Sequence, residues 1–299
     1  MKNNIIKTII CCGLFLVGLS SCGDDDAPSA KLDVSLDKAE YKAGDTVTFK
    51  FGGNPDNIMF YSGEDGHNYT LKDRLYADND LMVDFKSFAS WGEPYDNLQF
   101  MVSNNFNGVY DKENVSAATW IDLSDQLTFS GGADQVPSGV INLKSYAGED
   151  NDVLLYVAFR YTDTQKARQN RWVIRSINVD KISPEGIKNN MGVMSTMAWK
   201  AVDFLNPNAV WTITTAQLLM AGGNNQPDNE DWVISKGFKI KESVPDTGIA
   251  LKNISTTMNE YQYVYKKAGT YKAVFETSSV WYGDEKRSLS EITVEIKEP

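Results

Sequence analysis

Tyr261-Gln262-Tyr263-Val264-Tyr265-Lys266-Lys267-Ala268-Gly269-Thr270-Tyr271-Lys272-Ala273-Val274-Phe275 reads as an aromatic strand, a short turn and an apolar strand. Tyr261, Tyr263 and Tyr265 alternate, and side chains two apart share one face of a β-strand. Aromatics at that period are packing residues first, so the three tyrosines are read as a structural ladder inside a sandwich. Gly269 suits the turn because glycine takes positive φ at little steric cost.

Short alternating runs separated by Gly, Asn, Asp and Pro recur outward from this stretch, and helical periodicity is nearly absent. Leu32–Leu36, Thr46–Phe51, Asn57–Tyr61, Asn97–Val102, Trp172–Val179, Val210–Thr214, Trp232–Ile240 and Ile292–Ile296 are such runs. Val153–Tyr161 is more continuously apolar, as expected of a strand covered on both faces. The fold class expected is all-β. A second piece, Ala39-Glu40-Tyr41-Lys42-Ala43-Gly44-Asp45-Thr46-Val47-Thr48-Phe49, reads as the opening counterpart of the quoted stretch. More than a loop's worth of chain separates the two, so an inserted domain is expected between them.

These two pieces resemble the opening and closing strands of a PKD-like immunoglobulin-type sandwich. Within the insert, Phe100–Gly108, Ala118–Leu123, Ser138–Leu143, Val157–Tyr161 and Arg171–Ile174 follow in an order that resembles the jelly-roll domain of cleaved adhesins. The combination, with Phe60–Glu64 and Asp231–Ser235, resembles a family of Bacteroidota surface lipoproteins of unknown function, often found beside SusC/SusD-type importers. The resemblance implies two β-sandwiches: a discontinuous PKD-like one over 31–72 and 245–299, and an inserted jelly roll over 73–244. It carries no catalytic residues to transfer.

The N-terminus has the order of a lipoprotein signal. Lys2 and Lys7 form a basic start, Ile9–Leu19 an apolar stretch too short to span a bilayer, and Leu19-Ser20-Ser21-Cys22 a lipobox. Residues 1–21 are thus expected to be removed and Cys22 to be acylated, giving a membrane tether. Gly23-Asp24-Asp25-Asp26 resembles the surface-export signal of the same lipoproteins, which places the body on the outer membrane facing outward. Residues 22–30 are read as an acidic tether, with Ala27–Ala30 as its flexible spacer.

Removing the first 21 of 299 residues leaves 278, and because two lysines and no acid leave with them the formal net charge moves from −11 to −13. So acidic a body repels nucleic acid. Cys11 and Cys12 leave with the signal, so the folded part holds no thiol for a disulfide or a metal. His67 is the single histidine, which removes Ser-His-Asp and Cys-His chemistry and any multi-histidine zinc site. No catalytic constellation is visible, and a non-enzyme is expected.

Candidate binding residues are aromatics among turn formers, since loops on rigid β scaffolds carry function. Trp91 and Tyr95 lie in Ser90-Trp91-Gly92-Glu93-Pro94-Tyr95-Asp96-Asn97, and Trp281 and Tyr282 precede Gly283-Asp284-Glu285. Aromatic faces beside amides and carboxylates suit sugars. Glu149–Asp152 and Asp228–Asp231 hold the densest oxygen donors for a structural calcium ion, but both read as solvated acidic turns, and no cofactor is expected. The function expected is non-catalytic capture of extracellular polysaccharide for a nutrient importer, with glycan, importer components and the membrane as partners. The alternative is a surface adhesin or envelope protein-binding module.

Overall fold

The computed structural model describes residues 26–299, so the signal peptide, Cys22 and the acidic run up to Asp25 lie outside the described residues. The chain divides into two compact units, one built from residues up to Gly63 with Gly248–Pro299, the other from Glu64–Thr247. In chain order the first unit supplies β1 (Asp33–Leu36), β2 (Tyr41–Lys42), β3 (Thr46–Gly52) and β4 (Asn57–Tyr61). The second unit follows with β5 (Asp80–Ser90), β6 (Leu98–Ser103), helix α1 (Lys112–Ala117), β7 (Ile121–Asp122), β8 (Val136–Pro137) and β9 (Ile141–Asn142). It continues with β10 (Leu154–Asp163), β11 (Arg171–Ile182), β12 (Lys188–Val193), β13 (Lys200–Asp203) and β14 (Thr212–Ile213). β15 (Leu218–Met220), β16 (Asn229–Ile234) and β17 (Phe238–Lys239) complete it. The chain then returns to the first unit through β18 (Ile249–Lys252), β19 (Glu260–Val264), β20 (Gly269–Trp281) and β21 (Asp284–Lys297). The all-β class read from the sequence is the class observed, and α1 is the one α-helix among the described residues.

In the first unit one sheet has the order β1-β3-β19 and the other β18-β4-β20-β21-β2. Period-two burial makes them a sandwich: Val47 and Phe49 of β3, Phe60 of β4 and Phe275 of β20 point into one core. Phe60 is wholly buried, with the rings of Phe49, Tyr261, Tyr263 and Phe275 at centroid distances of 5.0–5.5 Å. The tyrosine ladder is therefore structural. Tyr265 is buried as well, its hydroxyl donating to the Ser62 carbonyl at 3.0 Å.

Three expectations are corrected here. Gly269 does not take positive φ; it opens β20 opposite Ile296. A Cβ there would stand 3.4 Å from the Tyr271 ring, whose hydroxyl donates to the Lys267 carbonyl at 2.9 Å, so the glycine makes room for the ring. Ala27–Ala30 is not a loose spacer: Ala27 and Ala30 are buried, and Thr277 donates through Oγ1 to the Ala30 carbonyl at 2.6 Å. The first seam lies at Gly63/Glu64 rather than at 72, because the segment after it bonds within the second unit. Thr247 N–H donates to Gly66 O at 3.0 Å and Ala77 N–H to Lys241 O at 2.8 Å.

The second unit also packs two sheets. One runs β13-β16-β10-β6-β7, with β17 also on β10. The other runs β14-β15-β11-β5-β8, with β12 also on β11 and β9 on β5. Phe85 of β5 meets Phe159 of β10 at 5.1 Å and Phe100 of β6 at 5.6 Å across the core. Trp172 is wholly buried. β6, β10 and β16 bury their outer face too, where Phe106, Trp120 and Trp232 form a smaller cluster under α1. That second covering explains the continuous apolar run of β10.

Replacing Phe60 by alanine should lower the unfolding free energy by about 3–5 kcal/mol, the cost of a large buried ring plus its cavity. Urea unfolding followed by circular dichroism reads this; an unchanged midpoint would show that the ring is not the contact joining the two sheets.

Candidate functional site

The loop between β5 and β6 is held by one side chain from the loop between β10 and β11. Asn170 is wholly buried, and its Nδ2 lies 3.2, 3.1 and 3.1 Å from the carbonyl oxygens of Trp91, Gly92 and Pro94. Its own N–H donates to Asp163 at 2.9 Å, its Oδ1 accepts from Lys166 Nζ at 2.8 Å, and its carbonyl accepts from the Tyr161 hydroxyl at 3.0 Å. Burial pushes the Tyr161 phenol up, keeping it a neutral donor. The two loops approach so closely that a Cβ on Gly92, at φ 58°, would stand 2.6 Å from Arg168 O.

Trp91 is also left-handed, at φ 61°, and its side chain is 45% exposed. The Arg168 and Arg171 guanidinium carbons lie 4.1 and 5.4 Å from its ring centroid, so cation–π contact fixes the indole at the loop surface. Tyr95 points the other way. Its ring packs on the core of the second unit, edge-on to Trp172 at 6.4 Å, while Trp172 Nε1 donates to Asn97 Oδ1 at 2.8 Å. The two sequence candidates on this loop thus sit on opposite sides of it, one presented and one plugged.

The same loop helps wall an open cleft of about 410 Å³. Asp96 and Asn97 face it from one side, Thr162 and Thr164 from the end of β10, Asp228 and Glu230 from the start of β16. Asp163 is tied to Lys166 at 3.0 Å and Glu230 to Arg160 at 3.0 Å. The cleft therefore offers carboxylate, amide and hydroxyl groups beside the apolar surface of Pro94 and Leu205, a mixed lining that suits a ligand with both hydroxyl groups and C–H faces.

Trp281 and Tyr282 stand elsewhere, at the tip of the β20–β21 hairpin of the first unit. Tyr282 and Gly283 have φ of 41° and 90°, the double positive φ of a two-residue turn that matches strand twist. Tyr282 is 86% exposed and Trp281 45%, their rings edge-to-face at 4.9 Å.

The acidic stretches behave differently from each other. Glu149–Asp152 is an exposed turn, as read. Asp228–Asp231 is not a solvated turn: Asn229 and Asp231 are buried at the start of β16. Neither carboxyl oxygen of Asp231 has a hydrogen-bond partner among the described residues. Burial, reinforced by the nearby Asp203 and Glu230 carboxylates, pushes its pKa up to about 8. Among the described residues no group of three or more His, Cys, Asp or Glu is placed to hold a metal. His67 is engaged through Nδ1 with the Thr247 carbonyl at 2.6 Å.

Asn170 was missed in the sequence, and Asp231 was read there only as part of a solvated acidic turn. Asn170 had no local signal, because the carbonyls it binds lie 76 to 79 residues away. Asp231 had one: it alternates with Val233 inside a strand-like run, which places it on the core face.

Residues 21–199 match the family described as Domain of unknown function (DUF5017). The match takes in the loops carrying Trp91, Tyr95 and Asn170, and ends before β16 and the β20–β21 hairpin. No curated protein matches the chain.

Asp231 sets a pH dependence. The folded chain keeps a proton that the unfolded chain releases near the ordinary value of 3.8. Its contribution to stability is complete below that value, falls as pH rises to about 8, and is level above. Asp231→Asn should flatten the fall, which is on the order of a few kcal/mol. Urea unfolding at about pH 5 and about pH 8 measures it; equal slopes in both proteins would contradict the assignment.

Proposed function

The chain belongs to the DUF5017 family, and we propose that it is a lipid-anchored bacterial surface protein that captures extracellular polysaccharide without cleaving it, in the service of a nutrient importer. The lipobox at Cys22 and the acidic run after it support the outer-membrane, outward-facing location. The observation that carries the binding role is the polar cleft beside the Trp91 loop. Its walls supply acceptors and donors for sugar hydroxyls, and the loop presents an indole already fixed by two arginines. A prearranged aromatic loses little freedom on binding, so its contact area goes into affinity rather than ordering. The backbone under it is prearranged as well, since Asn170 holds the carbonyls of Trp91, Gly92 and Pro94 to one buried amide.

Affinity electrophoresis of the protein through gels containing a panel of polysaccharides tests this. At least one glycan should retard the wild-type chain, and Trp91→Ala or Asp96→Ala should reduce that retardation at least tenfold in affinity, about 1.4 kcal/mol. No retardation by any glycan, together with a stoichiometric protein partner from solubilised outer membranes, would overturn the reading in favour of a protein-binding module.

A further inference from the structure

The segment that leads in from the N-terminus climbs the β20–β21 hairpin two residue pairs at a time. The Leu32 carbonyl accepts from Ser290 Oγ, and Ser290 pairs with Phe275. The Ala30 carbonyl accepts from Thr277 Oγ1 at 2.6 Å and the Ser29 carbonyl from Ser279 Oγ at 3.4 Å. Ala27 N–H donates to Asp284 Oδ2 at 2.8 Å, and Asp284 pairs with Trp281 on the last rung before the turn. Asp26 reaches Lys286 Nζ at 3.7 Å. Going backwards along the chain is going outward along the hairpin, and the described chain ends beside its tip.

Cys22 precedes Asp26 by four residues, and four residues reach at most about 14 Å. An acyl group at Cys22 therefore holds Asp26, which reaches Lys286 on the strand after the Trp281–Tyr282 turn, within that distance of the bilayer surface. The turn has the chemistry for the place. Tyr282 at 86% and Trp281 at 45% exposure stand at the tip with their rings edge-to-face at 4.9 Å, and Asp284 and Glu285 lie opposite Trp281 and Val280 on the returning strand. Tryptophan and tyrosine settle at the headgroup level of a bilayer, where an apolar ring body and a polar edge are both accommodated. Asp284 and Glu285 follow the turn and Asp24–Asp26 precede it in the tether, so the matching layer is zwitterionic rather than anionic.

We propose that the Trp281–Tyr282 turn is a membrane-contact site, a second, non-covalent foot that inserts into the headgroup layer beside the lipidated Cys22. This rests on the lipid-anchor reading above, and it gives these two aromatics a bilayer in place of the sugar ligand expected from sequence. The acyl chains on Cys22 hold the protein to the membrane, and a second contact adds to residence. It also fixes which end of the first unit faces the membrane, which a flexible tether would leave free.

Cys22 is the sole cysteine of the chain from residue 22 onward, so that chain can be coupled to maleimide-headgroup lipid in phosphatidylcholine vesicles. Vesicles containing phosphatidylcholine brominated near the headgroup should then quench a fraction of the fluorescence on the order of one tryptophan in seven. Trp281→Phe should abolish that quenching, while Tyr282→Ser should weaken it and leave all seven tryptophans in place. Quenching that persists undiminished in Trp281→Phe, or none in the wild type, overturns the proposal. Because the lipid is supplied chemically, either result stands whether or not cells acylate Cys22. The mass of the protein purified from membranes reads acylation separately, and a mass without acyl chains overturns the anchor itself and with it this placement.

Discussion

Pairing between the two ends of the chain is the constraint on which everything else rests. β4 lies between β18 and β20, and β3 between β1 and β19, so neither sheet of the first unit closes until the last fifty residues arrive. Phe60 is where the closure is sealed, since its neighbours Phe49, Tyr261, Tyr263 and Phe275 come from both ends. The cost of bringing distant ends together rises only slowly with the length between them, so a whole second unit is tolerated inside what is topologically one loop. What such an arrangement does slow is folding, because contacts at large sequence separation form late.

The two units distribute polarity in opposite ways. The first has an aromatic core, with Phe49, Phe60, Tyr265 and Phe275 wholly buried, and presents Trp281 and Tyr282 at one hairpin tip. The second buries polar groups where its loops gather: Asn170, Gln169, Asn229 and Asp231 are all nearly inaccessible. A buried polar group is costly unless its hydrogen bonds are met. Asn170 meets all of its own, which makes the loop bearing Trp91 rigid, whereas Asp231 meets none and is held neutral instead. Such concentration of polar burial at one end of a sandwich is how a β scaffold presents shaped loops.

How much of this was legible in the sequence follows from how local each cause is. The tyrosine ladder was legible because alternation is a property of neighbouring residues. β10 was legible because being covered on both faces leaves few polar positions, Arg160 alone breaking the apolar run before Thr162. β5 escaped notice although its burial alternates strictly, since Asp80, Asp84 and Lys86 on its outward face read as loop residues. Gly269 was given the wrong reason, because its extended backbone is set by pairing with Ile296, far along the chain, rather than by a turn. Ala27–Ala30 read as spacer because small residues and a proline look alike in a linker and in a segment docked through its own carbonyls. At the site, Trp91 and Tyr95 were found by their turn context, but which one faces outward depends on Trp172 and Arg168, and neither is near in sequence.

Hydrogen exchange of the backbone amides under increasing denaturant is the most direct measure of the closure around Phe60. The amides of Thr46–Gly52, Glu260–Val264 and Gly269–Trp281 should lose protection together, as one cooperative step, despite the chain that separates them. Loss of protection in Thr46–Gly52 at lower denaturant, with the two C-terminal strands still protected, would contradict a single sandwich built from both ends.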